Sequence, residues 1–166
     1  EASSLVCSTA ILTDDIITAE YTINNKVTHS QTLLPMIDEI CKMTDTDVSE
    51  FDAIAVSGGP GSFTGLRIGS ATAKGLAYAL NVPVVNVPTL EAMAYNFYGT
   101  DKVICPIMDA RRNQVYTGIY SFENNGLSIY LDSSAMDIMD LITKLQENDK
   151  PVIFTGDGIP VFRDII

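Results

Sequence analysis

A glycine-rich turn is the feature of this sequence with the clearest chemical potential. Such a turn, placed before a helix, leaves backbone N–H groups pointing out of the helix N-terminus, where the helix dipole favours an anion. A phosphate or nucleotide could therefore contact Gly59, Gly61 and Ser62. The alternative is a tight turn and nothing more, because the P-loop lysine is absent and Thr64 stands where a dinucleotide motif needs its last glycine. The glycines are Gly58, Gly59, Gly61 and Gly65.

A second polar turn carries two adjacent arginines. Arg111 and Arg112 follow Asp109 after an apolar run, and arginine pairs are common phosphate ligands. We include both in the predicted anion contact. A solvated turn with a local ion pair to Asp109 is the simpler alternative.

Other groupings that could support catalysis fail on geometry or number. His29 and Ser30 are adjacent, and neighbouring helical residues point about 100° apart, so they cannot share the hydrogen bond of a catalytic triad. One histidine and three dispersed cysteines, Cys7, Cys41 and Cys105, do not supply the usual zinc ligand sets. We predict no catalytic residue, no metal and a reducing cytoplasmic setting.

Charge and hydropathy exclude two classes of partner. Lys plus Arg number 10 against 21 Asp plus Glu, which gives a net charge of −11. Counterion release cannot supply affinity for a polyanion of the same sign, so we expect no direct binding of nucleic acid, tRNA included. No apolar run approaches the roughly 18 residues of a membrane span, so we expect no membrane contact.

Hydrophobic periodicity predicts the elements that position these residues. An apolar strand, the glycine turn, a helix and a second strand in succession imply a right-handed crossover between parallel strands, hence an α/β fold. Two related halves follow, 1–99 and 100–166. The predicted strands are 5–12, 16–23, 53–56, 82–87, 103–108, 114–120 and 152–155; the helices are 28–41, 62–80, 89–98 and one from Ser133 or Ser134 to 146.

Two helices carry more apolar or small positions than one sheet-facing stripe requires. In the second helix, Gly65, Gly69, Ala73 and Ala77 recur every four residues and allow close approach of a neighbour, either the chain's own sheet or a partner. We predict a partner interface on these two helices. Its residues are Leu33, Leu34, Ile37, Ile40, Phe63, Arg67, Gly69, Ser70 and Lys74.

Several segments together resemble the TsaB (YeaZ) family. The resemblance covers nearly the whole chain. Its segments are Ser57-Gly58-Gly59-Pro60-Gly61-Ser62-Phe63-Thr64-Gly65-Leu66-Arg67-Ile68-Gly69, Ala73-Lys74-Gly75-Leu76-Ala77, His29-Ser30, Leu33-Leu34-Pro35, Val87-Pro88-Thr89-Leu90-Glu91-Ala92, Asp109-Ala110-Arg111-Arg112 and Val115-Tyr116.

The resemblance implies an actin-like (ASKHA, ribonuclease H-like) fold of two lobes and a role in making N6-threonylcarbamoyladenosine, t6A, in tRNA. It implies a non-catalytic subunit that binds a TsaD-like transferase and works with a TsaE-like ATPase, and that forms a homodimer alone through the same helix pair. It implies no resident cofactor and leaves room for a nucleotide at the partner interface. The alternative is an enzyme of this fold, a nucleotide hydrolase or a glycopeptidase.

Both ends of the chain depart from the family pattern. Members of the family begin with an apolar strand ending in an Asp-Thr-Ser-like turn, and Glu1 falls just after it. After Gly158 they continue through a further strand and helix. We therefore expect the first strand and the C-terminal end of the fold to lie outside these 166 residues.

Overall fold

The chain divides into two compact units, 1–87 and 88–166. The computed structural model describes residues 1–25, 28–147 and 149–166. Each unit combines strands with helices, as the alternating periodicities predict, and each is described by itself.

The first unit contains two pairs of strands. The predicted hairpin forms from β1 (Cys7–Thr13) and β2 (Ile16–Ile23), which pair antiparallel. The predicted crossover forms from β3 (Ile54–Ser57), α2 (Phe63–Leu80) and β4 (Val84–Val87), with β3 and β4 parallel. Helix α1 (His29–Met43) and a short 3-10 turn (Val48–Glu50) connect the two pairs.

Apolar contacts hold α1 on the hairpin. Cys7 of β1 packs with Leu33 and Met36, and Ile11 packs with Ile40 and Cys41. The helix runs through Pro35 without ending there. Alternate residues of β1 therefore face α1, which fixes the face of the strand that is buried.

The second unit is built on a four-stranded sheet of order β7-β6-β5-β8. The strands are β5 (Val103–Arg111), β6 (Gln114–Glu123), β7 (Gly126–Asp137) and β8 (Val152–Thr155); the helices are α3 (Thr89–Tyr95), α4 (Ile138–Gln146) and α5 (Ile159–Phe162). Strand β5 pairs antiparallel with β6 and parallel with β8.

Strand β5 is buried on both faces because helices cover each of them. Val103, Cys105 and Ile107 pack with residues of α4 and α5. Ile104 and Met108 pack with Leu90 and Ala94 of α3. This explains the unbroken apolar run of the sequence, which is typical of a strand without a solvent face.

Two boundaries differ from the prediction. The first unit ends at Val87 rather than at residue 99, because Leu90 of α3 is fully buried against Ile104 of the second unit.

The predicted start of the fourth helix, at Ser133 or Ser134, is wrong. Both serines lie in β7, and α4 begins at Ile138. Asp137 is its N-cap and accepts a hydrogen bond from the Met139 N–H at 2.8 Å.

Candidate functional site

The predicted partner residues of α1 separate into buried and exposed positions. Leu34 is 52% exposed, whereas Leu33 and Ile40 are only 6% and 5% exposed and belong to the core of the first unit. Ile37 is half-buried. Leu33 and Ile40 are therefore not available to a partner, because they pack on the chain's own hairpin.

The small residues of α2 face inward. Gly65, Gly69, Ala73 and Ala77 are all buried. A Cβ at Gly65 would collide with the carbonyl oxygen of Ala2, and one at Gly69 would lie 3.6 Å from Val56. The close approach that this spacing predicted is thus internal, and Gly69 also leaves the set of accessible partner residues.

The opposite side of α2 presents aromatic and cationic side chains. Phe63 is 68% exposed, and the Arg67 guanidinium carbon lies 3.8 Å from the centre of its ring, a cation–π contact. Lys74 is exposed and Ser70 half-buried. Tyr78, which sequence reasoning missed, is 91% exposed. Its spacing of four residues from Lys74 was the signal that places it on this side.

Four of the predicted interface residues, Leu34, Phe63, Arg67 and Lys74, are exposed in the structure, and Tyr78 is added to them. We call these five side chains the exposed helix residues of the first unit. Large apolar or aromatic groups that are exposed side by side are typical of a surface that a partner covers. Arginine and tyrosine are also the residue types enriched at the energetic centres of interfaces.

The glycine turn is already occupied by the chain's own groups. The Ser62 N–H donates to the Ser3 carbonyl at 2.6 Å, and the Gly58 N–H donates to the Val87 carbonyl at 2.8 Å. The Gly65 N–H donates to the Ser62 hydroxyl oxygen at 3.3 Å, so Ser62 caps α2 as a helix start requires. The Ser62 N–H, one of the predicted anion contacts, therefore already donates to an acceptor within the chain.

A carboxylate lies next to this turn. Burial would raise the pKa of Glu1, but hydrogen bonds from Ser57 and Ser3 outweigh it and hold that pKa below its usual value. The group is therefore ionised at neutral pH and disfavours a second anion close by. Both observations favour the tight-turn interpretation over an anion site.

The two arginines of the polar turn belong to the second unit, whereas Gly59, Gly61 and Ser62 belong to the first. Arg111 forms an ion pair with Asp109 at 3.2 Å, as the simpler alternative predicted, and Arg112 is exposed. Burial raises the pKa of Asp157, a carboxyl that also feels the charges of Asp109 and Arg111. Arg111 thus sits in an acidic environment.

The single histidine, His29, contacts a backbone carbonyl group. Its Nε2 lies 2.8 Å from the carbonyl oxygen of Ser4, a hydrogen bond that ties the start of α1 to the residues before β1. Among the described residues, no three His, Cys, Asp or Glu side chains come together as metal ligands would. In the same part of the chain, no helix has the length and apolar character needed to cross a membrane.

Comparison with a family model and with a solved structure first identifies the class of protein to which the chain belongs. Residues 17–166 match the family model described as TsaD: tRNA N6-adenosine threonylcarbamoyltransferase. A solved structure described as an uncharacterized protein with similarity to peptidase YEAZ from Pseudomonas aeruginosa superposes with a TM-score of 0.75 at 30% identity. That match covers 82% of this chain and 63% of the solved one. The fold is therefore the actin-like α/β fold of this class.

Curated relatives narrow the class to one family. The tRNA threonylcarbamoyladenosine biosynthesis protein TsaB of Bacillus subtilis is 36% identical over 166 residues, which is 100% of this chain and 72% of the relative. The protein of the same name from Escherichia coli is 35% identical, with 99% of this chain and 72% of the relative covered. The chain belongs to the TsaB (YeaZ) family.

Proposed function

We propose that this chain acts in tRNA threonylcarbamoyladenosine biosynthesis as a non-catalytic subunit that binds a TsaD-like transferase. The observation that carries the proposal is the group of exposed helix residues, above all Phe63 at 68% and Tyr78 at 91% exposure. Membership of the TsaB family supplies the pathway, since the curated relatives are named for it.

The charge of the chain supports a protein partner over an RNA partner. With a net charge of −11, the chain repels phosphate, so the transferase would hold the tRNA in this proposal. Arg67 and Lys74 then serve a protein interface, where two cations beside exposed aromatic groups complement an acidic or aromatic surface of the partner.

A homodimer and a TsaD complex through the same helices would compete. A two-fold dimer buries the same patch on both copies, so adding the transferase should convert the dimer into a heterodimer. A TsaE-like ATPase and any nucleotide belong to the assembled complex in this proposal. The isolated chain needs no cofactor.

Reconstitution tests the function directly. The TsaD-like transferase, supplied with tRNA and threonylcarbamoyl-adenylate, should form t6A faster when this chain is added, and the two proteins should elute together in size-exclusion chromatography with mass detection. The double variant Phe63→Ala and Tyr78→Ala should remove both effects, whereas Met139→Ala, at a comparably exposed position of 57% on α4, should retain them.

Two results would contradict the proposal. One is t6A formation that does not depend on this chain. The other is phosphate release from ATP and Mg²⁺ by the purified chain above the buffer rate, which would favour the nucleotide hydrolase alternative.

A further inference from the structure

An aromatic patch lies on the surface of the second unit, around the end of α3 and on the hairpin of β6 and β7. Tyr95 and Tyr98 are 53% and 59% exposed. Both rings pack edge-to-face with the ring of Phe122, at centroid distances of 5.4 Å and 5.1 Å. Leu127 pairs with Phe122 across the hairpin, and Ile129 lies two residues further along β7 on the same face. We call these five side chains the aromatic patch.

The aromatic patch stays at the surface although it adjoins the core. Helix α3 covers another part of the same sheet face, where Leu90 and Ala94 are buried with Ile104. Phe122 and Leu127 border that cluster and are only half-buried. A contiguous group of aromatic and aliphatic side chains at the surface is typical of a binding site.

Two carboxylates border the aromatic patch. Glu91 lies one helical turn before Tyr95 on the same side of α3, and Asp132 follows Ile129 by three residues in β7. Tyr120 pairs with Ile129 across the hairpin. Burial raises the pKa of Tyr120, and the nearby charges of Glu91 and Asp132 raise it further. The patch therefore combines exposed ring faces with negative charge.

An arginine side chain fits this combination of groups. A guanidinium can stack on an aromatic ring while its N–H groups donate to a carboxylate, and it is less strongly hydrated than a lysine ammonium. The chain makes such a stack within itself, because the Arg67 guanidinium carbon lies 3.8 Å from the centre of the Phe63 ring. A net charge of −11 also attracts a basic partner.

We propose that the aromatic patch binds a basic segment of a partner protein in which an arginine stands next to a large apolar residue. The arginine stacks on the two tyrosine rings and donates to the bordering carboxylates. The apolar residue packs on Leu127 and Ile129. The aromatic patch belongs to the second unit, whereas the exposed helix residues belong to the first, so this proposal goes beyond the proposed function and does not depend on it.

A short peptide of alternating arginine and leucine tests the proposal. Added to the isotope-labelled chain at about 0.15 M salt, where long-range charge attraction is screened, it should shift the NMR signals of the Tyr95, Tyr98 and Phe122 rings. The shifts should saturate with a Kd below about 1 mM. The same peptide with citrulline, the neutral isostere of arginine, at each arginine position should bind at least about tenfold more weakly.

A pair of variants tests the rings. Tyr95→Leu combined with Tyr98→Leu removes both exposed rings and keeps apolar side chains, so the chain should stay folded and bind the arginine peptide about tenfold more weakly. Tyr130→Leu is the matched control, because Tyr130 is 52% exposed on the sheet face opposite the patch. Its hydroxyl donates to Glu123, as the hydroxyl of Ser121 does. This control should bind the peptide as the unchanged chain does.

A second pair of variants tests the carboxylates. Asp132→Asn and Asp140→Asn remove the same charge, one from β7 and one from α4, which packs on the opposite face of the sheet. Only Asp132→Asn should weaken binding, by about threefold. This comparison decides the question if the double tyrosine variant does not fold.

Several results would overturn the proposal. They are the absence of peptide binding, equal binding of the citrulline peptide, unchanged binding by the folded double tyrosine variant, and controls that lose as much affinity as the patch variants. The proposal is also overturned if the double tyrosine variant converts a dimer of this chain into a monomer in sedimentation, since a second copy then covers the patch.

Discussion

Leu34→Arg distinguishes an interface residue from a core residue at adjacent positions of one helix. Leu34 is 52% exposed and Leu33 is 6% exposed, although both are leucines in the same turn of α1. Placing a charge at position 34 should leave the unit folded and impair binding of the TsaD-like partner. Leu33→Ala should instead destabilise the fold and leave the partner-binding surface of the folded chain unchanged.

The magnitudes follow from the exposed fractions. Full burial of a leucine side chain is worth about 1.5–3 kcal/mol, so burying the exposed half of Leu34 under a partner adds about 1 kcal/mol. Desolvating the arginine that replaces it brings the loss to roughly 2 kcal/mol, about a thirtyfold weaker Kd. Leu33→Ala, by contrast, should lower the free energy of unfolding by about 2–5 kcal/mol.

Two measurements on the same samples check this prediction. Circular dichroism melting reports the fold, and isothermal titration with the TsaD-like protein reports the Kd. Met139→Arg is the matched control, because Met139 is 57% exposed on a helix of the second unit. It should change neither quantity beyond about 0.5 kcal/mol.

The reasoning is refuted by either of two results. If Leu34→Arg unfolds the chain, the side chain contributes to the core more than its exposure indicates. If Leu34→Arg binds the partner as tightly as Met139→Arg does, the partner covers a different surface.

Three further predictions concern stability. Tyr120→Phe should raise the free energy of unfolding by about 1 kcal/mol in urea titrations. The buried hydroxyl of Tyr120 has no hydrogen-bond partner among the described residues, and burial raises its pKa to about 12. A loss of stability in this variant would show that the hydroxyl has a partner. Gly65→Ala should cost about 1–3 kcal/mol because its Cβ would meet the Ala2 carbonyl, while Gly75→Ala, with open space around it, should gain up to about 1 kcal/mol; equal effects would exclude the contact with Ala2. Asp157→Asn should raise the melting temperature at pH 7 and leave it unchanged near pH 3. Burial raises the pKa of Asp157 in the folded chain, so the stability that its neutral carboxyl contributes is present below the unfolded pKa of about 3.9 and is lost as the pH rises through the folded pKa. A lower melting temperature at pH 7 would show that hydrogen bonds to the charged form dominate.

The sequence pattern predicted most elements because each has a strong local signal. The crossover from β3 to β4 follows from an apolar run, a capped helix start and a second apolar run. Asn124 and Asn125, both with positive φ, form the tight turn between β6 and β7, and Asn-Asn-Gly is a sequence typical of such a hairpin turn. The start of α4 was misplaced because Ser133 and Ser134 resemble N-caps, whereas they lie in a long strand paired with β6.

The candidate surface was predicted less completely. Helical spacing groups Leu33, Leu34, Ile37 and Ile40 on one broad face, but it does not say which edge of that face meets the hairpin. That choice depends on the packing of Cys7 and Ile11, which are distant in sequence. For the same reason the contact of Gly65 with Ala2 could not be read from the spacing of small residues alone.

The parallel pairing of β5 with β8 has a consequence for synthesis on the ribosome. Strand β5 emerges and can pair with β6 as soon as their hairpin is complete, yet its other edge receives β8 only after β7 and α4 have followed. Until then the most apolar strand of the second unit offers an open edge to neighbouring nascent chains. Slow translation through residues 124–151 would lengthen that exposure, so codon choice in this stretch should affect the yield of native protein more than codon choice after β8.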